Sequence, residues 1–235
     1  MASIKNLCVV IPAKDEEKSI GEIIEGCKKY AERVVVIDGY SKDKTREIAE
    51  KSGAEVILQR GKGKGAAIRT SKEHVSDEEI VVFIDADCSH DPDDIPKLIK
   101  PIQQRKADHV TGSRLFGGSS ELHGGFDEFM RLTGSSFITF CINNKFKVRL
   151  SDSQNGFRAI RGAVLKDLDL RENITTIEQE MIIKTLKKGY RMAEVPAHEY
   201  RRKYGESHIE MHRVFFRYVF SFIKYLYFHK GRKSH

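Results

Sequence analysis

Apolar residues in the first half of the chain fall into two alternating patterns. Short, nearly continuous Val/Ile runs at 7–11 ("LCVVI"), 33–38 ("RVVVID"), 54–58 ("AEVIL") and 79–85 ("EIVVFID") predict strands. Runs without polar alternation suit strands buried on both faces, as in a parallel sheet between helix layers. The segments between them, 16–30, 44–53 and 65–75, space their apolar residues three or four apart and predict helices. Strand–helix alternation of this kind predicts a doubly wound α/β architecture. The second half is less regular. It predicts a strand at 109–114, a Gly/Ser-rich loop at 117–125, a helix around 127–142, and a helix, a turn at Gly189 and a strand within 181–200. With no repeat or linker, the expected organisation is one domain over 1–207 and an amphipathic helical tail over 208–235.

In open α/β sheets, ligands bind beyond the carboxyl ends of the strands. Polar residues collect there: Pro12-Ala13-Lys14-Asp15-Glu16 after the first strand and Asp38-Gly39 after the second. A Gly/Lys loop, "RGKGKGAA" (60–67), follows the third, and Asp85-Ala86-Asp87 ends the fourth. Four such ends predict one shared crevice.

The formal charge of +7 points to anionic partners without choosing among phosphates, lipid and nucleic acid. Four scattered cysteines form no CxxC pair, and Cys8, inside an apolar strand, reads as a buried reduced thiol. The N-terminal apolar run is too short for a signal peptide, and no run reaches the ~18 residues of a spanning helix. A cytoplasmic protein is expected.

The Gly/Lys loop matches neither common phosphate-loop pattern, yet its glycines and the helix start behind it suit a phosphate as well as a simple basic turn. The Asp38 carboxylate suits a nucleobase edge with N–H donors, or a turn; Ser41 or Asp43 suits a helix cap. Asp85 and Asp87, one residue apart, lie on one face of an extended chain, where like charges repel unless a cation intervenes. Mg²⁺ or Mn²⁺, held by one or two carboxylates plus substrate phosphate oxygens, fits that pair. A turn into a helix at Asp91-Pro92 is the structural alternative.

With these motifs assembled, the chain resembles family 2 glycosyltransferases of the GT-A fold, and more narrowly the dolichyl-phosphate mannose synthase and polyprenyl-phosphate glycosyltransferase group. The resemblance rests on "VVIPAKDEE", "VVVIDGYSKDKT", "GKGAA", "FIDADCSHDP", "GSR", "SDSQNGFRA", "KKGYRMAEVP" and "RKYGES", in family order over roughly 7–207. It implies a UDP- or GDP-sugar donor, a divalent metal, an inverted product and a lipid-phosphate acceptor. It places Pro12, Ala13, Glu16 and Asp38 at the nucleoside, and Asp85, Ala86 and Asp87 at the metal and diphosphate. It places Arg202 near the donor phosphates, Arg114 and Arg131 at the acceptor phosphate, and Asp152 beside the reacting centre. Lys14-Asp15, Ser89 and His208 depart from the family pattern.

A phosphate acceptor needs no general base, because its second pKa is about 6. It needs cations, and guanidinium groups grip phosphate bidentately. On this view Asp152 orients the acceptor-side arginines or the sugar. The tail, drawn as a helix, puts Arg213, Arg217, Ser221 and Lys224 in one stripe on an otherwise apolar surface. That predicts a helix lying at the cytoplasmic membrane surface, its cations turned to anionic headgroups, or one docked on the domain or a second subunit. The expected function is hexose transfer to dolichyl or polyprenyl phosphate. A family 2 transferase acting on a glycan or soluble hydroxyl is the alternative, and nucleic-acid binding is not expected.

Overall fold

The computed structural model describes residues 3–120, 126–204 and 211–228, with side chains in 126–132 and 211–216 outside the description. Seven strands form one sheet: β1 (Ile4–Ala13), β2 (Ala31–Asp38), β3 (Glu55–Leu58), β4 (Ile80–Phe83), β5 (His109–Ser113), β6 (Arg158–Arg161) and β7 (Met192–Pro196). Their order is β3-β2-β1-β4-β6-β5-β7. All neighbours are parallel except β6, which runs antiparallel to β4 and to β5. The sheet is the expected mostly parallel one. The sequence pattern did not mark β6, whose four residues begin and end in arginine.

Alternation along β1 explains the two layers. Val9 and Ile11 face one core with Ile20, Ile23 and Ile24 of α1 (Ile20–Lys28). Cys8 and Val10 face the other core with Ala67, Ile68, Leu165 and Met181. Each such fully buried aliphatic side chain is worth about 1.5–3 kcal/mol. Burial also pushes the Cys8 thiol up to about 12, and Cys8 is unpaired. The other early helices are α2 (Thr45–Lys51), α3 (Lys64–Ser71) and α4 (Ile95–Gln103).

Helix α1 starts at Ile20 and not at the expected 16: residues 16–19 are all polar and form a turn in which the Ser19 and Ile20 N–H groups donate to the Glu16 carbonyl (3.2 and 2.9 Å). The N–H groups just before them reach a neighbouring loop. Those of Asp15, Glu16 and Glu17 donate to Ser41 Oγ (2.9 Å), Thr45 Oγ1 (2.8 Å) and Asp43 Oδ2 (3.1 Å). Ser41 and Asp43 thus brace the first two loops together, and Asp43 Oδ1 also accepts from the Thr45 N–H (2.9 Å) at the first residue of α2, as a cap would.

After β5 come α5 (Arg114–Gly117), α6 (Phe126–Phe146), α7 (Gly162–Asp167), α8 (Ile177–Lys187) and α9 (Met211–Ile223), the last continuing as a π-helical turn, Lys224–Phe228. A third core joins Ile138 and Ile142 of α6, Ile182 and Ile183 of α8, and Phe222, Tyr225 and Leu226. The polar stripe of α9 runs opposite to its expected orientation. Ser221 is buried and Arg217 points at Glu172 (3.9 Å), so this side faces the domain. Val219, Phe220, Ile223, Tyr227 and Phe228 are exposed instead. The Arg213 side chain lies outside the described residues. No helix among the described residues is long and apolar enough to cross a membrane.

Candidate active site

The crevice is built from strand ends. Ala13 pairs with Asp38 in the β1–β2 register, one step beyond Pro12 with Ile37. Both Asp38 oxygens accept from the Ser41 N–H (3.1 and 3.3 Å), and Arg46 Nε lies 3.8 Å away. The Asp38 carboxylate, fully buried, therefore closes its own loop. Glu16 accepts from Ser19 Oγ (3.0 Å); burial, with Asp87 and Asp85 nearby, raises its pKa.

Strand β4 ends at Phe83, and Ala86 and Asp87 already lie in a turn. The two aspartates are thus not presented by an extended strand, and each has its own cation. Lys64 Nζ sits 2.6 Å from Asp85 Oδ1 and 3.0 Å from Glu178 Oε1. Arg202 reaches Asp87 Oδ2 at 2.8 Å and lies 3.9 Å from Glu16. Gly156 is required here: a Cβ on it would lie 2.5 Å from Lys64 Nζ and 2.9 Å from Asp85 Oδ2.

Burial opposes the Asp85 charge, but Lys64 outweighs it and holds the carboxyl below its ordinary value. Lys64 rises above the ordinary lysine range, since its two carboxylates outweigh burial. Burial leaves Glu178 the weaker acid of the two, with its pKa raised. Arg158, wholly buried, donates to the carbonyls of Glu178 (3.1 Å) and Asn155.

On the far side, β5 delivers Arg114 into α5, with Ser113 Oγ accepting from Phe116 N–H (3.2 Å) as the cap. Arg114 grips Asp152 through Nε (2.6 Å) and Nη2 (3.0 Å) and reaches Glu199 at 3.4 Å. Asp152 is itself fixed by its N–H to Glu194 (2.8 Å). Burial disfavours both charges, yet the pairing holds Asp152 below and Arg114 above their ordinary values. Arg131 falls within α6, and its side chain lies outside the described residues.

The structure thus gathers Glu16 and the Asp85-Ala86-Asp87 turn beyond the ends of β1 and β4, with Arg202 of the loop after β7 reaching both, and pairs Arg114 with Asp152. The sequence did not mark Lys64 as the partner of Asp85, gave Arg158 only as part of "SDSQNGFRA", and left Glu178 and Glu199 unmarked. Lys64 had a signal, the glycines on either side of it. The two glutamates had none, because their partners lie far away in sequence.

Among the described residues, no group of three or more His, Cys, Asp or Glu side chains is arranged to hold a metal ion. Asp85 and Asp87 provide two hard oxygen ligands from one turn. That donor set fits Mg²⁺ or Mn²⁺ when diphosphate oxygens and water complete the shell.

A mostly parallel seven-stranded sheet with two aspartates at the end of a central strand is the GT-A-like arrangement of glycosyltransferases. The chain matches Glycosyl transferase family 2 over residues 8–169 and belongs to that family; it is a glycosyltransferase. It is 31% identical over 210 residues to the dolichyl-phosphate hexose transferase of Haloferax volcanii, covering 87% of each chain. It is 29% identical over 215 residues to the UDP-N-acetylglucosamine–dolichyl-phosphate N-acetylglucosaminyltransferase of Methanococcus voltae, covering 82% of this chain and 84% of that one. The fold is similar to that of glucosyl-3-phosphoglycerate synthase from Mycobacterium tuberculosis, crystallised with Mn²⁺, UDP and product. The TM-score is 0.73 at 22% identity, covering 94% of this chain and 80% of that one.

Proposed function

We propose that the protein transfers a hexose from a UDP- or GDP-sugar to a polyprenyl phosphate of the dolichyl type, inverting the anomeric carbon. The carrying observation is the Arg114–Asp152 pair. Both Asp152 oxygens are engaged by the guanidinium and the carboxyl is held below its ordinary value, so it is a poor proton acceptor. A hydroxyl nucleophile needs a base, whereas a phosphate monoester is already anionic near neutrality, with a second pKa of about 6.

In this reading a phosphate oxygen attacks the anomeric carbon from the face opposite the leaving group. The bond to the diphosphate breaks, and the nucleoside diphosphate departs with its electrons. Asp85 and Asp87 would hold Mg²⁺ or Mn²⁺, which supplies charge neutralisation to the leaving diphosphate. Arg202 and Lys64 stand beside those carboxylates and add positive charge where negative charge develops. Pro12, Ala13, Glu16 and Asp38 line the end where the nucleoside would lie. Asp152 orients Arg114, and Arg114 with Arg131 receives the acceptor phosphate. The acceptor's chain would lie in a membrane surface at the cytoplasmic face, reached through the C-terminal helix, and the exposed apolar residues of α9 support this. Names of relatives that act on dolichyl phosphate support the acceptor class.

The test is a donor screen with a short prenyl phosphate and Mg²⁺ or Mn²⁺, reading the lipid product by mass. Asp87→Ala should abolish metal-dependent donor binding. Arg131→Ala should spare sugar-nucleotide hydrolysis while weakening lipid-phosphate use. Turnover with a hydroxyl acceptor alone would overturn the assignment.

A further inference from the structure

The segment 172–179 is held from two sides. On the donor side, Gly63 and Gly65 press directly on its backbone. A Cβ on either would lie 2.4 Å from the carbonyl oxygen of Asn173 or Glu172, and Gly65 N–H donates to Asn173 O at 2.9 Å. Lys64, between those glycines, then reaches Glu178 of the same segment and Asp85 of the site. Any displacement of 172–179 therefore displaces the cation on Asp85.

The other side of the segment is held by α9. The Tyr218 hydroxyl bonds to Thr175 Oγ1. The Tyr218 main-chain carbonyl accepts from Gln179 Nε2 at 3.1 Å, and Arg217 points at Glu172 from 3.9 Å. Gln179, fully buried, also accepts from Gln154 Nε2 at 3.4 Å, and the Gln154 N–H donates to Asp152 Oδ1 at 3.0 Å. From Tyr218, two short chains of bonds lead away. One passes through 172–179 to Lys64 and Asp85, the other through Gln179 and Gln154 to Asp152. Packed, buried polar networks of this kind transmit displacement because their members have few alternative partners.

We infer that Tyr218 is a positioning residue: the C-terminal helix sets the placement of Lys64 against Asp85 through Tyr218, Thr175 and Gln179, and so belongs to the working donor site. This rests on the donor-site reading proposed above. It assigns α9 a role that does not require lipid, and makes the seating of the helix a determinant of donor use.

The test uses Tyr218→Phe, which keeps the ring and removes the hydroxyl, with Tyr30→Phe, which removes a hydroxyl bonded to Asp93 (3.0 Å), as comparison. Sugar-nucleotide hydrolysis is measured in buffer without membranes or prenyl phosphate, with thermal midpoint and amide hydrogen exchange on the full chain. Tyr218→Phe is expected to lower kcat/KM for the donor about fivefold, a coupling of modest size. It should also speed exchange at residues 63–67, while Tyr30→Phe leaves both unchanged. Unchanged kcat/KM with unchanged exchange at 63–67 overturns the inference. So does a lowered midpoint with uniformly faster exchange and unchanged kcat/KM, which marks a purely structural tyrosine. A wild-type chain that turns over no donor, yet whose 63–67 amides respond to Tyr218→Phe, sinks the proposed function and leaves the coupling standing.

Discussion

Lys64 is the residue on which the electrostatics around Asp85 turn. It is shared by a carboxylate held ionised, Asp85, and one pushed towards its neutral form, Glu178. The unequal pair keeps the Asp85 carboxylate ionised against Lys64, at 2.6 Å. Gly156 is the space that permits it. Gly156→Ala should force Lys64 and Asp85 apart at the flexible ends of their side chains, so the fold should survive. Metal-dependent UDP or GDP binding, measured by titration calorimetry, should weaken at least about tenfold, or 1.4 kcal/mol. Wild-type affinity in that variant would remove the Lys64–Asp85 contact from the donor site. At this scale the sequence announced Asp85 and Asp87 through their position after an apolar run. It could not announce Glu178 or Glu199, whose partners are brought near only by folding.

Elements are joined by side chains as much as by the sheet. Asp108, at the entrance to β5, accepts from Arg191 before β7 (3.1 Å) and from Arg161 at the end of β6 (3.2 Å). It therefore ties three adjacent strands at the edge opposite the crevice. Burial alone would raise its pKa, but the two arginines hold it below the ordinary aspartate value. A depressed carboxylate stabilises fully above its unfolded pKa of about 3.9 and loses that contribution as pH falls through the folded value. Asp108→Asn should cost about 2 kcal/mol at pH 7, with both arginines half-exposed. The gap to wild type in urea melts should narrow below about pH 4. A pH-independent gap would show that charge is not the cause. Elements with strong periodicity, such as β1, β2 and α1, were legible from the sequence. Strand β6 was not, because a four-residue strand carrying a buried arginine has neither apolar run nor alternation. The start of α1 falls at Ile20, its first apolar residue, because the polar residues 16–19 form a turn ahead of it.

At the scale of the whole molecule, charge and apolar exposure are segregated. Residues 129–151 and 211–235 contain no aspartate or glutamate, although the chain has 34. The helices in these stretches expose Phe137 and Phe140 of α6 and Phe220 and Ile223 of α9. Lys145 lies over the Tyr227 ring at 4.5 Å, linking the two. Aromatic surface carried by stretches that are basic and hold no acidic residue of their own is suited to an anionic bilayer interface. Phe137→Ser with Phe220→Ser should reduce sedimentation with anionic vesicles several-fold, and high salt should weaken the wild type; equal binding by both proteins would argue for a different surface. The sheet itself divides. Asp85 and Asp87 follow β4 in the β3-β2-β1-β4 half, whereas Arg114 and Glu199 follow β5 and β7 and Asp152 precedes the reversed strand β6, the seam between the two halves. Such a seam lets one half be exchanged while the other keeps its register, so chimaeras that graft the β5 and β7 loops of a relative onto this chain should inherit that relative's acceptor and retain this chain's nucleotide preference.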